Sequence, residues 1–188
     1  MTEQIHVLGI SGSLRKSSNN SGLLRAASEL LPAGMSLEIF DISAIPLYNN
    51  DLLAERLPPA VQEFKTRIAA ADALLIATPE YNYSIPGVLK NAIDWASRPP
   101  NESSFPGKPL AIMGAGGVMG TSRAQSHLRQ IASGLNMLAL NKPEVMVQRA
   151  WEKFDQHGNL TDDATRQKVK ELLLALRDWT LRLRVSQV

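Results

Sequence analysis

The 188-residue chain contains no cysteine. Disulfides, iron–sulfur ligation, thiol nucleophiles and cysteine-based zinc sites are thereby excluded together, and a reducing compartment is compatible with that composition. An excess of either charge is nearly missing as well. The 20 Lys and Arg face 18 Asp and Glu, giving +2 at pH 7. The signs are interspersed, so no basic face and no nucleic-acid partner are expected. No apolar run approaches the roughly 20 residues that cross a bilayer. The start, Met1-Thr2-Glu3-Gln4-Ile5-His6, has neither the basic nor the apolar stretch of a signal peptide. The three histidines, His6, His127 and His157, form no pair at metal-ligand spacing. The chain therefore reads as cytoplasmic and soluble, with no metal and no membrane partner.

What is present is an apolar pattern. A hydrophobic content of 44% is enough for a sizeable core in one domain, residues 1–188. Runs with strand character occur at Ile5–Ile10, Ser36–Phe40, Ala73–Ala77 and Pro109–Met113, and more weakly at Pro143–Val147. Between them, residues such as Leu23, Leu24, Ala27 and Leu31, or Ala124, Leu128, Ile131 and Leu135, recur at the three-and-four spacing of one helix face. A last helix opens at Leu160-Thr161-Asp162-Asp163, with Thr161 as the expected cap. Five strands alternating with five helices predict an α/β, doubly wound three-layer sandwich on a parallel sheet. The segment Ile42–Leu57 is long for a connection and keeps Ile45, Leu47, Tyr48, Leu52 and Leu53, so it reads as a functional or interface loop. Met113, Met119, Met137 and Met146 read as core filler.

Three loops follow strands and precede helices, where open α/β sheets bind ligands. The first offers Ser11, Ser13, Ser17, Ser18, Asn19, Asn20 and Ser21 with Arg15 and Lys16, at the start of a helix. Donors, backbone N–H groups and the helix dipole converge there, which suits a terminal phosphate; a capped, solvated loop would use the same residues. The second, Thr78-Pro79-Glu80-Tyr81-Asn82-Tyr83-Ser84-Ile85-Pro86-Gly87, is held by prolines and carries aromatic surface for a flat ring or simply a packed turn. The third, Gly114-Ala115-Gly116-Gly117-Val118-Met119-Gly120-Thr121, could bring backbone N–H groups and a helix N-terminus to a ligand. In a 2-1-3-4-5 sheet these ends adjoin one another.

Other signatures fail. Lys16-Ser17 has no preceding glycine at P-loop spacing, and Gly9-Ile10-Ser11-Gly12 supplies no G-x-G-x-x-G. Gly12 directly follows Ser11, so no nucleophile elbow forms. Asp41 stands where a ribose-binding acid would sit and keeps a dinucleotide reading open.

Gly12-Ser13-Leu14-Arg15 with Ser18 and Asn20, followed by the run Pro79 to Trp95 (PEYNYSIPGVLKNAIDW), resembles the NADPH-dependent FMN reductase family over roughly Ile5 to Leu135. Members include quinone, chromate and azo-dye reductases. The resemblance implies a flavodoxin-like fold of strand order 2-1-3-4-5 holding FMN non-covalently, with Ser13, Arg15, Ser18 and Asn20 at the phosphate. Pro79, Glu80, Tyr81 and Asn82 would border the isoalloxazine, and Ala115, Gly116 and Gly117 its pyrimidine edge. Where the family commonly has glycine and an aromatic, this chain has Ser17 and Asn19. Implied too is a ping-pong cycle: NADPH or NADH gives a hydride to flavin N5, and a quinone or similar small-molecule acceptor then takes two electrons. An electron carrier without its own NAD(P)H oxidation is the alternative. A homodimer or homotetramer is implied, with Arg123 and Glu144 as a cross-subunit ion pair.

Overall fold

A computed structural model describes residues 4–185; Met1, Thr2 and Glu3, part of the N-terminal reading above, lie outside them. Six strands form one parallel sheet: β1 (Ile5–Ser11), β2 (Met35–Phe40), β3 (Ala73–Ala77), β4 (Pro109–Ala115), β5 (Leu138–Ala139) and β6 (Val145–Val147). The order is β2-β1-β3-β4-β5, with β6 also on β4. The helices are α1 (Asn19–Glu29), α2 (Asn50–Glu55), α3 (Pro59–Ala70), α4 (Gly87–Ala96), α5 (Ser122–Gly134) and α6 (Asp163–Val185).

Side chains of the central strands alternate between two cores, as the two-residue period of a strand requires. Leu74 and Ile76 of β3 join Val61, Phe64, Leu89, Trp95 and Leu128 on the α3, α4 and α5 face. Ala73, Leu75 and Ala77 join Leu23, Leu24, Val169, Leu172 and Leu176 on the α1 and α6 face. Both faces of β3 and β4 are covered, so these strands are apolar throughout. The fold is flavodoxin-like. Among the described residues no helix is long and apolar enough to cross a membrane.

Three details depart from expectation. The fifth strand is split: β5 pairs with Pro109 and Leu110, whereas β6 pairs with Met113, Gly114 and Ala115. Pro143, which lies between them, has no N–H to continue a ladder. The Ile42–Leu57 segment contains α2, capped where Asn49 Oδ1 accepts from the Asp51 N–H at 2.9 Å. It is moored through the Pro46 carbonyl, which accepts from Trp95 Nε1 and Asn91 Nδ2, both at 2.8 Å. Asp162, not Thr161, caps α6. Its Oδ2 accepts from the Thr165 N–H at 2.8 Å and the Thr165 hydroxyl at 2.6 Å, while Thr161 Oγ1 turns back to the Lys153 carbonyl. A cap must sit one residue before the first helical turn, and the helix starts later than the Thr161 reading supposed.

Candidate active site

The first loop leaves β1 with the Gly12 N–H bonded to the Ala77 carbonyl at 2.8 Å, which keeps it beside the end of β3. Ser11 points inward: its hydroxyl lies 2.9 Å from the Ser21 hydroxyl and accepts from the Ser13 N–H at 3.3 Å. Ser18 caps α1, accepting from the Ser21 N–H at 3.3 Å. Arg15 is exposed and donates to Ser17 Oγ at 3.2 Å; no carboxylate pairs with it among the described residues. A cation without an acidic partner among the described residues thus shares a lining with the start of α1, a combination that suits an anion.

The second loop is a tight turn. Tyr81 and Ser84 exchange both backbone hydrogen bonds at 3.0 Å, and Asn82 and Tyr83 between them take φ of 47° and 68°. A two-residue hairpin turn of this hand needs both central residues left-handed, a conformation asparagine tolerates better than most. The turn leaves Tyr83 exposed. Glu80 reaches sideways to α5. Its carboxylate accepts from the Arg123 N–H (3.0 Å), the Ala124 N–H (3.2 Å) and Arg123 Nη1 (2.9 Å). Burial pushes its pKa up, but the Arg123 side chain and these backbone bonds outweigh that and hold the carboxyl below its ordinary range.

The third loop needs glycine at 114. A β-carbon there would lie 2.1 Å from Thr121 Oγ1 and 2.4 Å from the Thr78 carbonyl oxygen. Two of its N–H groups are already engaged, that of Ala115 by Asn20 Oδ1 at 2.9 Å and that of Gly116 by the Val147 carbonyl at 3.0 Å. The positive end of α5 is taken by Glu80. The charge stabilisation expected from this loop and its helix is therefore largely spent inside the protein.

A segment beyond β6 closes the arrangement. Arg149 and Ala150 donate from their backbones to the carbonyls of Gly117 (3.0 Å) and Gly116 (2.9 Å). A single 3₁₀ turn, Ala150–Glu152, then holds Trp151 with 64% of its surface exposed. Farther on, Gly158 packs against the backbone of Ser17 and Ser18.

The three loops enclose a cleft of about 270 Å³. Its lining brings together Ser13, Arg15, Ser18 and Asn20 with Pro79, Glu80 and Tyr81 and with Ala115 and Gly116. Ser11 and Asn82 lie outside its lining, and Gly117 borders an adjoining recess of about 230 Å³ with Val118, Met119 and Arg123. Met119 is half exposed there and fills no core. Asn19, one of the first-loop donors, lines the cleft too, and Ala150 and Trp151 line it without having been expected. Trp151 lies past the last strand in a stretch of no periodicity, so its sequence carries no sign of the site. A crevice of about 370 Å³ lies at the opposite end of the sheet, where Lys108 is bonded to the carbonyls of Ala69 and Ala71. No metal-holding cluster occurs among the described residues. The expected Arg123–Glu144 pair is not formed within the chain, where Arg123 bonds Glu80 and lies 4.0 Å over the Tyr83 ring, and Glu144 bonds Lys142.

The family model for NADPH-dependent FMN reductases matches residues 5–152. The chain belongs to this family. It is 58% identical over 185 residues, 98% of this chain and 100% of the relative, to an NAD(P)H-dependent FMN reductase of Pseudomonas aeruginosa. It is 47% identical to an NADPH:quinone oxidoreductase of Arabidopsis thaliana, covering 95% of this chain and 93% of that one. In structure it is similar to a flavoenzyme NAD(P)H:(acceptor) oxidoreductase of Paracoccus denitrificans, with a TM-score of 0.86 and 36% identity over 95% of this chain and 98% of the other.

The cleft suits the flavin mononucleotide of such reductases. Its lining includes Arg15, which has no acidic partner among the described residues, the hydroxyls of Ser13 and Ser18 and the start of α1, groups that fit a phosphate. The same lining includes Pro79, Tyr81, Ala115 and Gly116, which fit a flat ring. The one carboxylate in the lining, Glu80, is turned to α5 and neutralised there.

Proposed function

We propose that residues 1–188 form one FMN-binding domain that works as an NAD(P)H oxidoreductase, passing two electrons to quinones or similar acceptors. The observation that carries this reading is the meeting of the unpaired Arg15 and the α1 N-terminus with an uncharged wall of Pro79, Tyr81, Ala115 and Gly116 in one cleft. Bound FMN would supply hydride acceptance from NAD(P)H and hydride release to an acceptor.

The chain's own residues bind and orient. Ser13, Arg15, Ser18 and the first N–H groups of α1 would hold the phosphate by charge-assisted bonds. Pro79 and Tyr81 would border the ring, and Ala115 and Gly116 its pyrimidine edge. Because the Glu80 carboxylate is committed to α5, the ring would meet no free negative charge from the wall. No lining side chain is assigned as an obligatory proton donor; the open face admits water. Tyr81, Tyr83, Val118, Met119 and Trp151 expose apolar surface beside the cleft and its recess, which supports a homodimer or homotetramer that covers it. A cytoplasmic location goes with the cysteine-free composition.

Steady-state oxidation of NADPH and NADH by FMN-loaded protein with a benzoquinone tests the reading. Turnover that requires both flavin and quinone is expected. Colourless protein that takes up no FMN would overturn it, and FMN uptake without NAD(P)H oxidation would make the chain an electron carrier.

A further inference from the structure

Asn20 is 3% exposed, and both ends of its amide are used. Oδ1 accepts from the Ala115 N–H at 2.9 Å, and Nδ2 donates to the Ala115 carbonyl at 3.0 Å, across 95 residues of chain.

The reason lies in the sheet. Successive residues of a strand present their N–H and C=O groups to opposite neighbours. On β4 the Met113 carbonyl faces β3 and accepts from the Thr78 N–H at 3.0 Å, whereas Gly116 bonds β6 through Val147. Ala115, two residues past Met113, therefore faces the β3 side. But β3 ends at Ala77, and the chain turns away at Pro79, which has no N–H to offer. The Asn20 amide, one donor and one acceptor in a plane, occupies the ladder position that β3 vacates. Without it the Ala115 N–H and C=O would be buried and would lose the hydrogen bonds that water gives them in the unfolded chain.

We infer that the side chain of Asn20 is a positioning group that sets the spacing of the flavin cleft by tying α1 to Ala115, and is not itself a ligand of the phosphate, whatever the α1 backbone N–H groups contribute. This rests on the FMN reading above. Of the amide's hydrogens one remains on Nδ2, and whether it reaches a phosphate is what the experiment separates. Phosphate contacts distinguish FMN from riboflavin, which lacks the phosphate; cleft spacing affects both flavins alike.

The test measures dissociation constants of FMN and riboflavin for flavin-stripped wild type, Asn20→Ala, Asn20→Ser and Arg15→Ala, with melting temperatures and the visible circular dichroism of bound flavin. Asn20→Ala should weaken both flavins by a similar factor, about tenfold or more, and alter the flavin dichroism. Arg15→Ala should weaken FMN alone. If Asn20→Ala does not fold, Asn20→Ser gives the comparison, because its hydroxyl adds no charge and cannot serve the Ala115 N–H and carbonyl together. Loss of FMN affinity with riboflavin unchanged would make Asn20 a phosphate ligand and overturn the inference. A lower melting temperature with both affinities and the dichroism unchanged would overturn it too, leaving a structural role only. Wild type that binds neither flavin would sink the proposed function and this inference with it.

Discussion

Arg123 donates to Glu80 twice, from its guanidinium at 2.9 Å and from its own backbone N–H at 3.0 Å. One carboxylate thus closes an ion pair and caps α5, while the same guanidinium lies over the Tyr83 ring. The second loop and the third are joined to one helix by this contact.

The Glu80 carboxyl is held below its ordinary value, which is near 4.3 in an unfolded chain. Its bonds therefore stabilise the fold fully above that pH and are lost as pH falls through the lower folded value. Glu80→Gln should cost about 1–2 kcal/mol near neutral pH and converge with the parent in acid. Thermal melts at several pH values check this. A gap that stays constant down to the acid limb would remove the carboxylate charge from the account.

Arg15→Ala should leave the melting temperature of flavin-free protein unchanged, because the guanidinium is exposed and, among the described residues, bonds only Ser17 Oγ. FMN affinity should fall by about 10- to 100-fold, the worth of one charge-assisted contact. Titration of flavin fluorescence measures it, and unchanged FMN affinity would remove Arg15 from the site.

The Asp162 carboxyl is lowered to about 2, chiefly by its bonds from Lys153 and Thr165. Stability from this cap is complete above the ordinary aspartate value near 4 and disappears as pH drops toward the folded value. Asp162→Ala should cost about 1 kcal/mol at neutral pH, with the difference shrinking below about pH 4. Urea unfolding of both proteins at pH 7 and in acid compares them.

Of the three tryptophans, Trp95 is fully buried and Trp179 donates to the Leu138 carbonyl, whereas Trp151 is exposed on the cleft. FMN should quench the red-edge emission, and Trp151→Phe should remove most of that quenching and shift the remaining emission to the blue. Quenching of equal size in the variant would place the flavin away from Trp151.

The strands, the helices and the convergence of three loops were legible because each depends on periodicity along the chain. Leu74 and Ile76 fall on one side of the sheet and Leu75 on the other whatever else the protein does. The split fifth strand was only half legible, because Leu138–Ala139 is too short to show a period. The Asp162 cap was missed by one residue, since Thr161 and Asp162 are both good capping types and only the first turn's hydrogen bonds distinguish them.

In the first loop, residue types alone established a surplus of donors and a cation beside a helix start, and with them the kind of ligand the loop suits. They could not say which donors stay free for it. A serine, asparagine or glutamate offers the same atoms to a phosphate, a ring or a neighbouring backbone, and the partner depends on what folding brings within about 3 Å. Folding turned Ser11 to Ser21, Asn20 to Ala115 and Glu80 to Arg123, and left Arg15 without an acidic partner among the described residues. Local pattern needs only the neighbours in sequence; the choice of hydrogen-bond partner needs the end of β3, the start of α5 and the segment after β6 in place at once.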